Sequence, residues 1–322
     1  MKDKYGRRIN YLRVSLVDRC NLRCMYCMPE DGIIKKPHSE LLRFEDILKI
    51  IRAAARLGVN KIRYTGGEPL IVRNIDYLIK KTAEIQGISD LAITTNGTLL
   101  YNLADKLKSS GLKRVNISLD TLKEDKFNQI TRGGNINGVL RSIEKCLSIG
   151  LTPVKINVVL MKGFNEDEIV DFVNITRNLP LEIRFIELMP IGQAEELYKA
   201  YFLSSENVLK NIKSIFQLSP KPTFSDSTVS LYKVKNYRGT IGFISPISCK
   251  FCKSCNRIRL TSMGNLKPCL HSDKVINLKS CLGDDKLLIE NLKLGIYSKP
   301  LQHNMDLENK SASKRMMYQI GG

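Results

Sequence analysis

The chain has 322 residues, enough to bury a substantial core and to divide into one large domain and a smaller companion. No apolar run is long enough to span a membrane and the first eight residues are charged, so the nine cysteines point to a reducing, cytoplasmic compartment where clustered thiols are ligands rather than disulfides. The formal net charge of +19 favours an anionic partner such as nucleic acid, anionic lipid or a polyphosphate, while the abundance of Lys, Ile and Asn leaves part of that charge to solvated surface.

Residues 12–16 alternate and predict a strand. That strand feeds Cys20-Asn21-Leu22-Arg23-Cys24-Met25-Tyr26-Cys27, three thiols in eight residues. Thiolates this close turn toward a shared centre, which reads as an iron–sulfur cluster or zinc. His38 lies eleven residues past Cys27 and beyond two prolines, a poor fourth ligand for zinc. A cubane cluster held by three thiolates would keep one iron open.

A helix over 44–57 follows, with Ile47, Ile50, Ile51, Ala54 and Leu57 on one face and Gly58 as its stop. Residues 61–65 predict a second strand, broken by Gly66-Gly67. The pattern repeats: helix 75–86, strand 90–95, helix 101–110, strand 114–119, helix 137–149 and strand 154–160. Asn165-Glu166-Asp167-Glu168 fits a capping box that opens a helix to Arg177. Residues 181–187 form the sixth strand.

Six strand–helix alternations predict an α/β fold with a parallel sheet: an open, partial TIM-type barrel of about six β/α units, its mouth closed by a smaller C-terminal domain. The unusual residues sit at the strand ends, where such barrels build active sites. The domain boundary is placed near residue 195, giving 1–195 and 196–322. Beyond it, residues 204–216 read as a helix, and 229–234 with 237–244 as a hairpin around Asn236.

The second chemical constellation is Cys249, Cys252 and Cys255, followed by Cys269 and Cys281. Five thiols exceed one site, and spacing alone does not separate zinc from a cluster or name the spare ones. Arg257 and Arg259 alternate directly after Cys255, so an extended backbone turns both guanidinium forks to one side, a geometry suited to phosphate oxygens.

Cys20-xxx-Cys24-xx-Cys27 with Tyr26, together with Gly66-Gly67-Glu68-Pro69, resembles the radical S-adenosylmethionine superfamily. Cys252-xx-Cys255-Asn256-Arg257-x-Arg259 with Cys269, and the terminal Gly321-Gly322, narrow the resemblance to the GTP 3′,8-cyclase family of molybdenum cofactor biosynthesis across essentially the whole chain. The resemblance implies two [4Fe–4S] clusters, one on Cys20, Cys24 and Cys27 and one on Cys252, Cys255 and Cys269. Cys249, Cys281 and Cys146 are then spare. It implies S-adenosylmethionine contacts at Tyr26, Gly67, Glu68, Ser118 and Met189, with Gly67 giving room to the methionine part and Glu68 pairing with its ammonium. GTP contacts fall on Arg13, Arg63, Thr94, Lys155, Arg257 and Arg259. Gly321-Gly322 would thread into the active site, whereas chain physics alone predicts a frayed tail.

The implied reaction cleaves S-adenosylmethionine to a 5′-deoxyadenosyl radical, which abstracts the C3′ hydrogen of GTP; the C3′ radical adds to guanine C8, and reduction gives 3′,8-cyclo-7,8-dihydro-GTP. No catalytic His or general base is needed. The implied partners are a flavodoxin- or ferredoxin-type electron donor, cyclic pyranopterin monophosphate synthase as recipient of the product, and a second copy in a homodimer. No membrane or nucleic acid is expected. Two readings compete: a peptide-modifying radical enzyme, and a zinc-stabilised basic nucleic-acid-binding protein. The first leaves the arginine pair and Gly-Gly end unexplained; the second lacks a basic helix or aromatic platform.

Overall fold

The computed structural model describes residues 1–34, 36–223, 227–303, 305, 311, 313 and 315–321. Six parallel strands form its centre: β1 (Tyr11–Ser15), β2 (Lys61–Thr65), β3 (Asp90–Thr95), β4 (Arg114–Ser118), β5 (Val154–Leu160) and β6 (Glu182–Glu187). The crossovers carry α1 (Phe44–Arg56), α2 (Ile75–Ala83), α3 (Leu100–Ser109), the pair α4 (Glu124–Thr131) and α5 (Ile136–Ser148), and α6 (Ile169–Asn178). The alternating open barrel expected from sequence is therefore present, with α4 as an element that periodicity did not reveal.

Along these strands the two side-chain phases divide cleanly. Leu12, Val14, Ile62, Tyr64, Ile93, Val115, Ile117, Ile156, Ile183 and Phe185 are fully or almost fully buried in one continuous apolar core. That core includes Ile47, Ile50, Ile51 and Ala54 of α1. Each such side chain contributes about 1.5–3 kcal/mol of burial, which fixes the register, because a one-residue slip would turn the whole set inward. The opposite phase carries Arg13, Ser15, Arg63, Thr65, Asn116 and Arg184, all buried as well. The barrel lumen is thus polar and cationic.

After β6 come α7 (Ala194–Tyr201), α8 (Ser205–Ile215), β7 (Leu218–Lys221), β8 (Ser230–Val234), β9 (Thr240–Ile244), β10 (Arg257–Leu260), β11 (Asn265–Lys267), β12 (Ile276–Asn277), α9 (Asp285–Tyr297) and the short α10 (Met317–Ile320). The hairpin is β8 against β9, antiparallel. The C-terminal strands then do something the sequence did not disclose: they extend both edges of the barrel sheet. β9 pairs parallel with β6, and β10 pairs parallel with β1, in a single sheet ordered β12-β11-β10-β1-β2-β3-β4-β5-β6-β9-β8-β7. The cysteine-bearing segment between β9 and β10 consequently joins strands on opposite edges of the open barrel.

The expected capping box at Asn165 is not formed, and neither side chain caps a helix. Asn165 instead accepts from the Met161 amide (2.9 Å) and donates to the Asp120 and Val159 carbonyls (2.7 and 2.8 Å). Glu168 accepts from the Thr121 hydroxyl and the Leu122 amide, both 2.7 Å. Orphan backbone groups where the chain leaves β4 and β5 outbid the helix terminus for these side chains. The outcome ties together two strand ends that border the site.

Candidate active site

The first cysteine loop is held by backbone on both sides. Arg23 and Met25 amides donate to the Thr131 and Ile130 carbonyls, each at 3.0 Å, and Gly67 and Glu68 amides donate to Val17 and Arg19 carbonyls at 2.6 and 2.9 Å. Gly67 is needed for this approach: a Cβ there would lie 2.2 Å from the Arg19 carbonyl oxygen. Its glycine thus seats the Gly-Gly-Glu-Pro loop on the cysteine loop. Cys20, Cys24 and Cys27 line one hollow with Tyr26, Gly67, Thr94, Ser118, Asp120 and Met189. Burial and neighbouring thiols push Cys27 up to about 12 and Cys24 well above the usual thiol range. Thiols held this high keep their protons at neutral pH unless a cation takes the proton's place.

Glu68 does not line that hollow. It is 1% exposed, and its carboxylate accepts from the Leu70 amide (2.9 Å), the Thr95 hydroxyl (2.7 Å) and the Asn96 amide (2.7 Å). Asp120, which sequence reasoning missed, does line it. Asp120 accepts from the Tyr26 hydroxyl (2.6 Å) and the Val159 amide (2.8 Å), and burial pushes its carboxyl up to about 6.

The second hollow is lined by Cys252, Cys255 and Cys269, with Arg13, Arg63, Arg184, Arg257, Arg259 and Lys299 as its cations. Among the described residues that line it, none is acidic. Arg259, Arg13 and Arg63 stand in register on three adjacent strands. Arg63 and Arg257 flank the Tyr11 ring, with guanidinium carbons 5.4 and 5.7 Å from its centroid. Burial and like charges push Arg63 down to about 9 and Arg259 down to about 10. Two buried donors of this hollow, Arg63 Nε and Arg257 Nε, have no hydrogen-bond partner. Such a set demands an anionic, acceptor-rich ligand.

Two expected GTP contacts fall elsewhere. Thr94 lines the first hollow, and Lys155 lines neither, its ammonium lying 2.9 Å from Glu182. Arg184, absent from the sequence expectation, takes a place in the second hollow while also pairing with Glu182 at 2.5 Å. Its signal was available: Ile183 and Phe185 claim the apolar phase of β6 and leave Arg184 pointing inward.

Among the other thiols, Cys249 is exposed and lines neither hollow, while Cys146 and Cys281 are buried within the apolar core. Cys255 sits beside Lys299 and Arg257, which together outweigh burial and hold its thiol below the usual range. Lys299 is only 2% exposed and donates to the Arg257 and Pro268 carbonyls at 2.8 and 2.9 Å. Among the described residues no three Cys, His, Asp or Glu side chains converge on a single-ion site.

The two hollows meet. Asn157, Ile186, Met189 and Met317 line both, so the two cysteine loops face a common interior. The C-terminal tail enters it rather than fraying: Tyr318 and Ile320 are buried, and Arg259 donates to the Ile320 carbonyl (3.3 Å) and the Gly321 carbonyl. Gly322 lies outside the described residues.

A model of the radical SAM superfamily matches residues 14–175, and a model described as Molybdenum Cofactor Synthesis C matches 181–305. Proteins named GTP 3′,8-cyclase from Clostridium botulinum and Clostridium acetobutylicum are 57% and 52% identical to the chain, each aligned over 100% of both sequences. Two solved structures share the fold at low identity. Streptococcus suis SuiB bound to S-adenosylmethionine gives a TM-score of 0.59 at 17% identity, covering 92% of this chain and 66% of that one. The protein anSMEcpe with bound AdoMet gives 0.55 at 16%, covering 89% and 84%. No helix among the described residues is long and apolar enough to cross a membrane. With both motifs, the joined hollows and full-length identity in agreement, the chain belongs to the radical S-adenosylmethionine superfamily and, within it, to the GTP 3′,8-cyclase family.

Proposed function

We propose that the chain is a radical lyase that converts GTP to (8S)-3′,8-cyclo-7,8-dihydro-GTP, an early step of molybdenum cofactor biosynthesis. The observation that carries this reading is the junction of two thiol-lined hollows, one of them cationic and free of acidic lining among the described residues. Each thiol trio borders its own hollow, with room beside the sulfurs for a multi-iron core. Cys20, Cys24 and Cys27 would hold one [4Fe–4S] cluster; Cys252, Cys255 and Cys269 would hold another.

When bound, these clusters supply the electron for S-adenosylmethionine cleavage and an open iron for the purine. The chain's own residues bind, aim and shield. Tyr26, Ser118, Gly67 and Met189 border the cosubstrate, and Asp120 fixes the Tyr26 ring through its hydroxyl. Arg13, Arg63, Arg257 and Arg259, joined by Arg184, grip the triphosphate with forks that suit its oxygens. Lys155 is held by Glu182 at the margin and Thr94 stands at the cosubstrate side, so both reach GTP across the junction. The seated tail excludes water from the radical's path, and no general base is asked for.

A low-potential flavodoxin or ferredoxin supplies electrons, cyclic pyranopterin monophosphate synthase takes the product, and the working form is a cytoplasmic homodimer. The test is anaerobic reconstitution with S-adenosylmethionine and GTP. The reading expects about eight irons per chain, from two four-iron clusters, and GTP-dependent release of 5′-deoxyadenosine. A colourless, zinc-bearing protein would sink it, as would cosubstrate cleavage that depends on a peptide instead of GTP.

A further inference from the structure

We propose that His303 occupies the open iron of the second cluster through Nδ1 while substrate is absent, and yields that position to the purine. This inference rests on the reading that Cys252, Cys255 and Cys269 hold a cluster. His303 is 6% exposed and lines the same hollow as those three thiols. Cys252, Cys255 and Cys269 share that lining with the His303 side chain, so the ring borders the cavity where the cluster would sit.

The tautomer follows from its partner. Nε2 stands 3.0 Å from the Pro246 carbonyl oxygen, which only accepts, so Nε2 carries the proton. Nδ1 is left as a bare lone pair, buried and without any hydrogen-bond partner. A buried acceptor without a donor is costly unless the site supplies one, and an iron with a free coordination position is such a partner. His271 packs on the ring at a centroid distance of 4.5 Å and holds its plane. His271 directs its own Nδ1 to the Ser311 hydroxyl at 3.1 Å, so it lacks the same orphaned nitrogen. Ligation is a dative bond from neutral imidazole; no proton or electron moves when it forms or when guanine replaces it.

The chain contains three histidines, and none lines the first hollow, so a histidine label reports the second cluster alone. The experiment is pulsed EPR on reduced, ¹⁵N-histidine-labelled holoenzyme with S-adenosylmethionine present. A directly ligated nitrogen is expected without GTP, lost on saturation with GTP, lost in His303→Ala and retained in His271→Ala. His303→Ala is also expected to bind GTP several-fold more tightly, since a competing ligand is gone. Absence of nitrogen coupling in the GTP-free enzyme at full iron content overturns the histidine role alone. Coupling that survives in His303→Ala does the same. Loss of half the iron in the wild-type chain would instead overturn the underlying two-cluster reading. Should His303→Ala fail to fold, His271→Ala decides, because only His303 and the exposed His38 remain.

Discussion

Replacing Gly321 with alanine tests whether the tail is part of the site. Gly321 sits at φ +68°, and a Cβ there would lie 2.2 Å from Thr65 Oγ1. A left-handed backbone costs an L-residue about 1–2 kcal/mol. Thr65 is 2% exposed, so its hydroxyl has little room to swing aside, and forcing it off its rotamer costs about 1 kcal/mol more. Against this stand the Arg259 bonds to the Ile320 and Gly321 carbonyls, each nominally about 1.5–3 kcal/mol because the donor is charged. The strain is somewhat smaller than the anchorage, so the tail should stay mostly seated but open far more often. A loss of about 2–3 kcal/mol corresponds to roughly 30- to 150-fold more frequent opening. Hydrogen exchange of the peptide covering residues 315–321 reads this directly, and its protection should fall by that factor. The melting temperature should hardly move, because the tail lies outside the strand ladders. Turnover should fall with the seated population. Adding Thr65→Ala removes the overlap and should restore about 1 kcal/mol, leaving the backbone penalty. Unchanged exchange in Gly321→Ala would refute the reasoning.

Arg257→Ala should weaken GTP binding tenfold or more by equilibrium titration while iron content stays level; unaltered affinity would remove its phosphate role. Cys249→Ser should retain about eight irons and Cys255→Ser about four, by iron and sulfide analysis, since four irons belong to each cluster; the reverse pattern would reassign the ligands. Lys155 is pushed down to about 8 from 10.5 by burial and by Arg184. Between those values the unfolded chain binds more protons than the folded one, so the apo protein should gain stability as pH rises through that window. Lys155→Met should flatten the rise in denaturant melts, and an identical slope would show that another group is responsible.

Much of the barrel was legible because each central strand alternates an apolar residue facing the helices with a polar one facing the lumen. Leu12-Arg13-Val14-Ser15 and Ile62-Arg63-Tyr64-Thr65 show it plainly. The same rule read strictly along β6 would have found Arg184. The pairing of β10 with β1 could not be read: Leu12 and Ile258 are register partners separated by most of the chain, and local pattern carries no address. Glu68 and Asn165 mislead for a different reason. Both lie beside chemically suggestive neighbours in sequence, yet each turns to satisfy backbone amides or carbonyls of an adjoining loop, a debt visible only once the loops are folded. The tail was legible as a motif and not as physics, since nothing in six terminal residues announces that Arg259 will hold their carbonyls.

The edge pairing of β10 also explains why the site is cationic where it is. Neighbouring strands lie about 4.8 Å apart, so charges at that spacing repel by roughly 3 kcal/mol at an effective dielectric of about 20. Seating β10 on β1 brings Arg259 beside Arg13, which already neighbours Arg63, and therefore opposes closure of the sheet edge. Closure is favoured by Ile258 and Leu260, both fully buried, and by the Asn256 amide on Asn10 at 2.8 Å. Apolar burial on one face of a short strand thus holds the repelling forks of its other face in place. An anion placed among these forks would offset that repulsion. The same strand follows directly from Cys255, so its cationic face and the second thiol trio adjoin in the chain and share the edge that pairing with β1 completes.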